Sequence, residues 1–124
     1  MAPRILVIDD DPETTGALCR ILTKDGFVTR AANDSRTVLQ TSRDFQPHLV
    51  LLDYDMPHLH GGDVAWQLWS NAKLRETKLI ICSAFPLEEF RTQLPPRRIP
   101  FLSKPVDAAD LLRLIHETLN DVAV

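Results

Sequence analysis

Cysteine is scarce in this chain of 124 residues, with only Cys19 and Cys82, far apart and not in a C-x-x-C pair. Each lies inside an apolar stretch, so both are expected to be small buried hydrophobes in a reducing compartment. An excess of basic residues is missing as well. Fourteen Lys and Arg stand against 17 Asp and Glu, giving a net charge of −3 and a pI near 5.7. That balance leaves no basic footprint for nucleic acid, and Arg97-Arg98 is too short to form one. No segment reaches the ~18 apolar residues of a membrane span. The opening MAPRILVIDDD meets acids too early for a signal peptide. A cytoplasmic chain with no membrane association is expected. Internal repeats, low-complexity tracts and linkers are also missing.

What is present suits one domain, 1–124, with one core and no output domain in this chain. Hydrophobic residues make up 44% and charged residues 25%, close to the average for a globular domain. A core of that size needs no disulfide or metal to hold it. Four short apolar runs stand out: RILVID (4–9), HLVLLD (48–53), KLIICS (78–83) and IPFL (99–102). Continuous runs rich in Ile, Leu and Val predict strands buried on both faces of a parallel sheet. FVTRAA (27–32) is more mixed and predicts an edge strand.

Helical patterns alternate with these runs. Residues 12–24 carry Leu18, Ile21 and Leu22 on one face, behind an Asp11 cap and Pro12, and stop at Asp25-Gly26. Residues 35–45 place Val38, Leu39 and Phe45 on a weaker face, and 62–72 carry Val64, Ala65 and Leu68. The last helix has Asp107 as its cap and a stripe of Leu111, Leu112, Leu114, Ile115 and Leu119. A fourth helix has only 87–94 available, between Pro86 and Pro95-Pro96, and is expected to make two turns at most. Strand and helix thus alternate five times, which predicts a doubly wound α/β sheet with helices on both faces. Ligands bind such sheets beyond the carboxyl ends of the strands.

The stretch LVLLDYDMP (49–57) sharpens the question, because a buried strand runs straight into Asp53 and Asp55. The first strand delivers Asp9-Asp10, with Asp11 next, to the same rim. The fourth delivers Ser83, and the fifth is followed by Lys104-Pro105. Carboxylates gathered this closely repel one another, and a divalent cation removes the conflict. An all-oxygen donor set favours Mg²⁺ over zinc, and Mg²⁺ commonly shares a phosphate. A phosphoryl group there would accept a hydrogen bond from Ser83 and face the charge of Lys104.

The motifs VIDDD (7–11), LLDYDMPHLHG (51–61), Ser83-Ala84 and FLSKP (101–105), in this order, resemble the receiver domain of two-component response regulators along nearly the whole chain. The resemblance implies a flavodoxin-like five-stranded parallel sheet in the order 2-1-3-4-5. It makes Asp53 the phosphoacceptor, served by a sensor histidine kinase or a histidine phosphotransfer protein. It assigns Asp10 as a direct Mg²⁺ ligand, Asp9 as one acting through water, and the Asp55 backbone carbonyl as another. Lys104 would hold a phosphoryl oxygen, and Ser83 with Ala84 would bind the phosphoryl group on switching. Phe101 would turn inward behind them, and the Lys104-Pro105 bond would be cis. An effector protein of unknown identity would read the switch.

Several residues depart from the family pattern. The Asp55 side chain adds negative charge beside the site, where it would slow or speed loss of the phosphoryl group. His60 stands where an acid is common. Gly62 replaces an apolar residue, so the third helix is expected to start late or loosely. PLEEFRTQLPPRRIPFL (86–102) lacks the usual glycine-alanine turn, which makes the face of the fourth helix, fifth strand and fifth helix atypical, so that a weak homodimer there is expected in place of a standard one.

Blander readings stand beside these. Asp9, Asp10 and Asp11 suit a helix N-terminus as caps alone. His58 and His60 with Asp55 suggest a zinc site less readily than solvated loop histidines. Trp66 and Trp69 are expected to pack, in the core or, for one of them, on a partner surface. The rival function is a phosphatase of the haloacid dehalogenase type, with Asp53 as nucleophile and Asp55 as general acid. That family places its D-x-D on the first strand, however, and this chain has no room for a cap domain. A third reading is a receiver fold used constitutively as an interaction module. The first reading is a signalling domain and not an enzyme.

Overall fold

The computed structural model describes residues 2–56 and 61–120. Five strands, β1 (Arg4–Ile8), β2 (Val28–Ala32), β3 (Leu49–Asp53), β4 (Lys78–Ser83) and β5 (Phe101–Ser103), form one sheet in the order β2-β1-β3-β4-β5. Every pairing is parallel. The helices are α1 (Pro12–Lys24), α2 (Val38–Phe45), α3 (Gly61–Ser70) and α4 (Ala108–Asn120). β2 is the edge strand its mixed sequence predicts, with Val28 among its exposed positions.

The apolar runs divide by alternation, because successive side chains of a strand point to opposite faces. Leu6, Ile8, Val50, Leu52, Leu79 and Ile81 face one layer, where they meet α2 and α3 through Val38, Phe45, Val64 and Leu68. Ile5, Val7, Leu49, Leu51, Ile80 and Cys82 face the other, against Leu22 of α1 and Leu111 and Ile115 of α4. All five residues of β3 are buried. The strand ends on Asp53, a buried carboxylate at the carboxyl edge of the sheet.

The fourth helix predicted for 87–94 is not formed. Two separate 3₁₀ turns, Leu87–Glu89 and Arg91–Gln93, replace it. Phe90 between them is only 3% exposed, stacked on Tyr54 and tilted against Phe101. Burying a phenylalanine contributes roughly 1.5–3 kcal/mol. An isolated helix of two turns is unfavourable in water, so the ring decides the backbone. The outcome is a segment folded inward, and the face expected around a fourth helix is built from turns.

The third helix does not start late. It begins at Gly61, before the predicted position 62, and its first residue packs against Tyr54. A Cβ on Gly61 would overlap the Tyr54 ring and lie 3.0 Å from its Cα. Glycine lets the ring lie against the helix N-terminus.

Smaller differences follow the same logic. β5 is displaced from 99–102 to Phe101–Ser103, and α2 follows a 3₁₀ turn, Ser35–Thr37. Cys82 is buried, but Cys19 is half-buried on α1. Trp69 packs between the guanidinium groups of Arg75 and Arg97, at 5.4 and 5.5 Å. Trp66 is 42% exposed.

Candidate functional site

The chain leaves β1 toward β2 on one side and returns to β3 on the other, so the strand order reverses between β1 and β3. Crevices of doubly wound sheets open at such a reversal. A cleft of about 710 Å³ lies there, lined among others by Asp9, Asp10, Asp53, Asp55, Cys82 and Lys104.

Local hydrogen bonds fix each acid. Asp11 caps α1, accepting from the Glu13 amide and the Thr14 hydroxyl. The Asp11 amide in turn donates to Asp9 Oδ1 at 3.0 Å. Asn33 Nδ2 donates to the Asp9 carbonyl and to Thr15 Oγ1, each at 2.9 Å, tying the loop after β1 to the end of β2. The exposed Asp10 sits beside them, and Asp9, Asp10 and Asp53 bring carboxylate oxygens within 4.8 Å of one another. Those oxygens suit a hard divalent cation that keeps part of its hydration shell.

Lys104 closes the site from the β5 side. Its Nζ donates to Asp53 Oδ1 at 2.6 Å and lies 3.4 Å from Asp55 Oδ2. Its amide donates to the Ser83 carbonyl, and the Lys104-Pro105 bond is cis. Asp53 Oδ1 also accepts the Asp55 amide at 3.0 Å. Both of these bonds go to Oδ1, and among the described residues no hydrogen bond to Asp53 Oδ2 is seen.

The charges respond to this crowding. Burial pushes the Asp9 carboxyl up to about 6, with the nearby Asp53 charge adding to it and the Asp11 amide opposing it. Burial acts to lower the Lys104 ammonium. Its bond to Asp53 and the charges of Asp53, Asp55 and Asp9 outweigh that, and it stands above the usual lysine range. Burial likewise pushes the Cys82 thiol up to about 12, so it is inert at neutral pH.

Asp55 behaves differently from the other acids. Its carboxylate accepts from the Ser83 hydroxyl at 2.7 Å and the Ala84 amide at 2.9 Å. Burial acts to raise its carboxyl, but these two bonds and Lys104 hold it below the usual range. The sequence placed Asp55 near the site without revealing these partners. A spacing of two along the chain does not say which neighbouring loop a carboxylate meets.

Phe101 is half-buried, and its ring meets Phe90, which stacks on Tyr54 beside Asp53. The Tyr54 hydroxyl donates to Gln93 Oε1, and Trp66 Nε1 donates to the Gln93 carbonyl at 2.9 Å. Sequence reading missed this arrangement, although Tyr54 beside Asp53 and the paired glycines 61–62 were its available signs. His58 and His60 lie outside the described residues.

Comparison with known proteins agrees with this architecture. The family model of the response regulator receiver domain matches residues 5–116. An uncharacterized 14.6 kDa protein from the sodA1 3′ region of Leptolyngbya boryana is 30% identical over 114 residues, covering 91% of this chain and 87% of that one. The receiver-domain structure of a response regulator from Bermanella marisrubri superimposes with a TM-score of 0.83 at 30% identity, covering 97% of this chain and all of that one. The receiver domain of the sensor histidine kinase PA1611 from Pseudomonas aeruginosa shares the fold, with a TM-score of 0.85 at 19% identity over 98% of this chain and 100% of that one. A magnesium ion is coordinated in the active-site cleft of that protein. The chain spans 28% of the length of the DNA-binding response regulator MtrA, another curated relative. With the matched strands, the strand order and the gathered acids in place, the chain belongs to the response regulator receiver domain family of two-component signalling.

Proposed function

We propose that the domain accepts a phosphoryl group on Asp53 from a phosphohistidine of a sensor kinase or phosphotransfer protein, and that an effector protein reads the result. The observation that carries this reading is the buried Asp53. One of its oxygens is held by Lys104 at 2.6 Å, and two further carboxylates stand within metal-sharing distance. Asp53 Oδ2 would attack phosphorus in line. An O–P bond forms as the P–N bond to the donor imidazole breaks, and the imidazole leaves with the electron pair.

Phosphoryl transfer rests on positioning and charge neutralisation more than on covalent assistance. Lys104 supplies one positive charge against the equatorial oxygens. Asp9 and Asp10, the Asp53 carboxylate and the Asp55 backbone carbonyl would hold Mg²⁺, which supplies the remaining neutralisation when bound. Ser83 and Ala84, which donate to Asp55 in the unphosphorylated domain, would turn their hydroxyl and amide to the phosphoryl oxygens. Phe101 would couple the site to the partner face through Phe90 and Tyr54. The domain is read as a signalling module and not as an enzyme with turnover.

A phosphatase using Asp55 as general acid fits less well. An acid catalyst needs a raised pKa and a free proton-carrying oxygen. Asp55 is instead held below its usual range, with one oxygen bonded to Ser83 and the other to Ala84.

Incubation with acetyl phosphate and Mg²⁺ tests the proposal by intact-mass measurement. Addition of one phosphoryl group, absent in Asp53→Ala, is the expected result. No addition with any donor, or sustained release of inorganic phosphate from a generic phosphomonoester, overturns it.

A further inference from the structure

The Ser83 hydroxyl is fully buried and carries a single proton, which it donates to Asp55. The Ala84 amide also has a single proton, and it goes to the other oxygen of the same carboxylate. Lys104 leans on that second oxygen at 3.4 Å while it bonds Asp53. One anion on the loop after β3 is therefore bound by a hydroxyl, an amide and an ammonium from the ends of β4 and β5. A phosphoryl group on Asp53, two residues earlier, would carry three strong acceptor oxygens and ≈ −1.5 to −2 charge into the same space. Lys104 has protons to share, whereas Ser83 and Ala84 do not.

We propose that the Asp55 carboxylate is a resident competitor for the phosphoryl seat. The incoming group must then displace it from Ser83 and Ala84, and Asp55 weakens phosphoryl retention while holding 83–85 closed in the unphosphorylated domain. The inference rests on the phosphoacceptor reading of Asp53.

Two consequences separate this role from a purely structural one. A carboxylate that merely braced the loop would, on removal, loosen Ser83 and Ala84 and weaken anion binding. A competitor, on removal, frees both donors and strengthens it. Repulsion acts in the same direction, because displaced Asp55 remains an anion close to a dianionic group. The backbone carbonyl of residue 55 survives any side-chain change, so the proposed metal position is retained in the variants.

The test uses the full chain with Mg²⁺ and fluoroberyllate, a stable stand-in for an acyl-linked phosphoryl group, titrated by fluorine NMR. Amide exchange at Ala84 is followed with and without the probe. Asp55→Ala is expected to bind at least about tenfold tighter than the parent, or about 1.4 kcal/mol. Asp55→Asn, which keeps an acceptor but not the charge, should fall between them and serves if the alanine variant is poorly folded. Without the probe, Ala84 should exchange faster in Asp55→Ala, and the probe should restore its protection. Equal or weaker binding in both variants overturns the inference while leaving the phosphoacceptor reading intact. Binding in none of the three proteins overturns both.

Discussion

The ring of Tyr54 stacks on that of Phe90 with centroids 4.0 Å apart and planes 21° from parallel. Tyr54 is the neighbour of Asp53 in sequence, and Phe90 is the buried anchor of a segment with no α-helix. The contact fastens 87–94 to the site. Phe90→Ala is expected to cost about 3–5 kcal/mol, the range for deleting a buried phenylalanine. An exposed loop position would cost within about 0.5 kcal/mol. Urea unfolding separates the two.

Gly61→Ala pits two effects against each other. Helix propensity alone would favour alanine by about 1 kcal/mol. The added methyl would overlap the Tyr54 ring and crowd its Cα at 3.0 Å, where backbone cannot yield cheaply. Overpacking of that kind costs about 1–3 kcal/mol and outweighs the propensity gain. A lowered thermal midpoint is the expected result, and a raised one would show that the ring can leave its place.

Asp9 makes stability depend on pH. Its carboxyl is raised from 3.8 to about 6 in the folded domain, so between those values the folded state holds a proton that the unfolded chain has released. Stability from this group is therefore present at low pH and is lost as pH rises through about 6. Asp9→Asn removes that loss. The variant should gain on the parent between pH 4.5 and pH 7 by about 1–2 kcal/mol in metal-free buffer, with little further change above pH 7. With saturating Mg²⁺ the preference should reverse at neutral pH, because the ion needs the ionised carboxylate. Denaturant titrations at several pH values, with and without the metal, give both signs.

Lys104→Met leaves Asp9, Asp53 and Asp55 facing one another without a cation. The loss at pH 7 is expected to be about 1–3 kcal/mol, below the range for a fully buried pair because Lys104 is 30% exposed. Part of it should return near pH 5, as Asp9, whose carboxyl burial pushes up to about 6, takes up a proton. Phosphoryl transfer from acetyl phosphate should slow by about 10²-fold, as when one stabilising donor is removed. An unchanged rate would mean that the ammonium does not meet the phosphoryl group.

Much of this was legible before any coordinates. β1, β3 and β4 announce themselves because each apolar run is short and buried on both faces, and because Asp53, Ser83 and Lys104 stand where the apolar runs stop. β2 reads as an edge because Thr29 and Arg30 interrupt its apolar side. The inward fold of 87–94 was not legible in the same way. Pro86 and Pro95-Pro96 limit a helix, but only the packing of Phe90 against Tyr54 says what happens instead. Gly61 and Gly62 look like a weak helix start until the ring beside them is seen. The partners of Asp55 lie 28 and 29 residues away in sequence, beyond the reach of any local pattern.

Gln93 is grasped twice, its side chain by the Tyr54 hydroxyl and its carbonyl by the Trp66 indole. The indole is 42% open to water. The indole is therefore joined through Gln93 to the residue next to Asp53, and its emission, read over that of Trp69, would serve as an optical gauge. Any event at the acid rim that tilts Tyr54 should register as a change in wavelength or quenching, with no label attached.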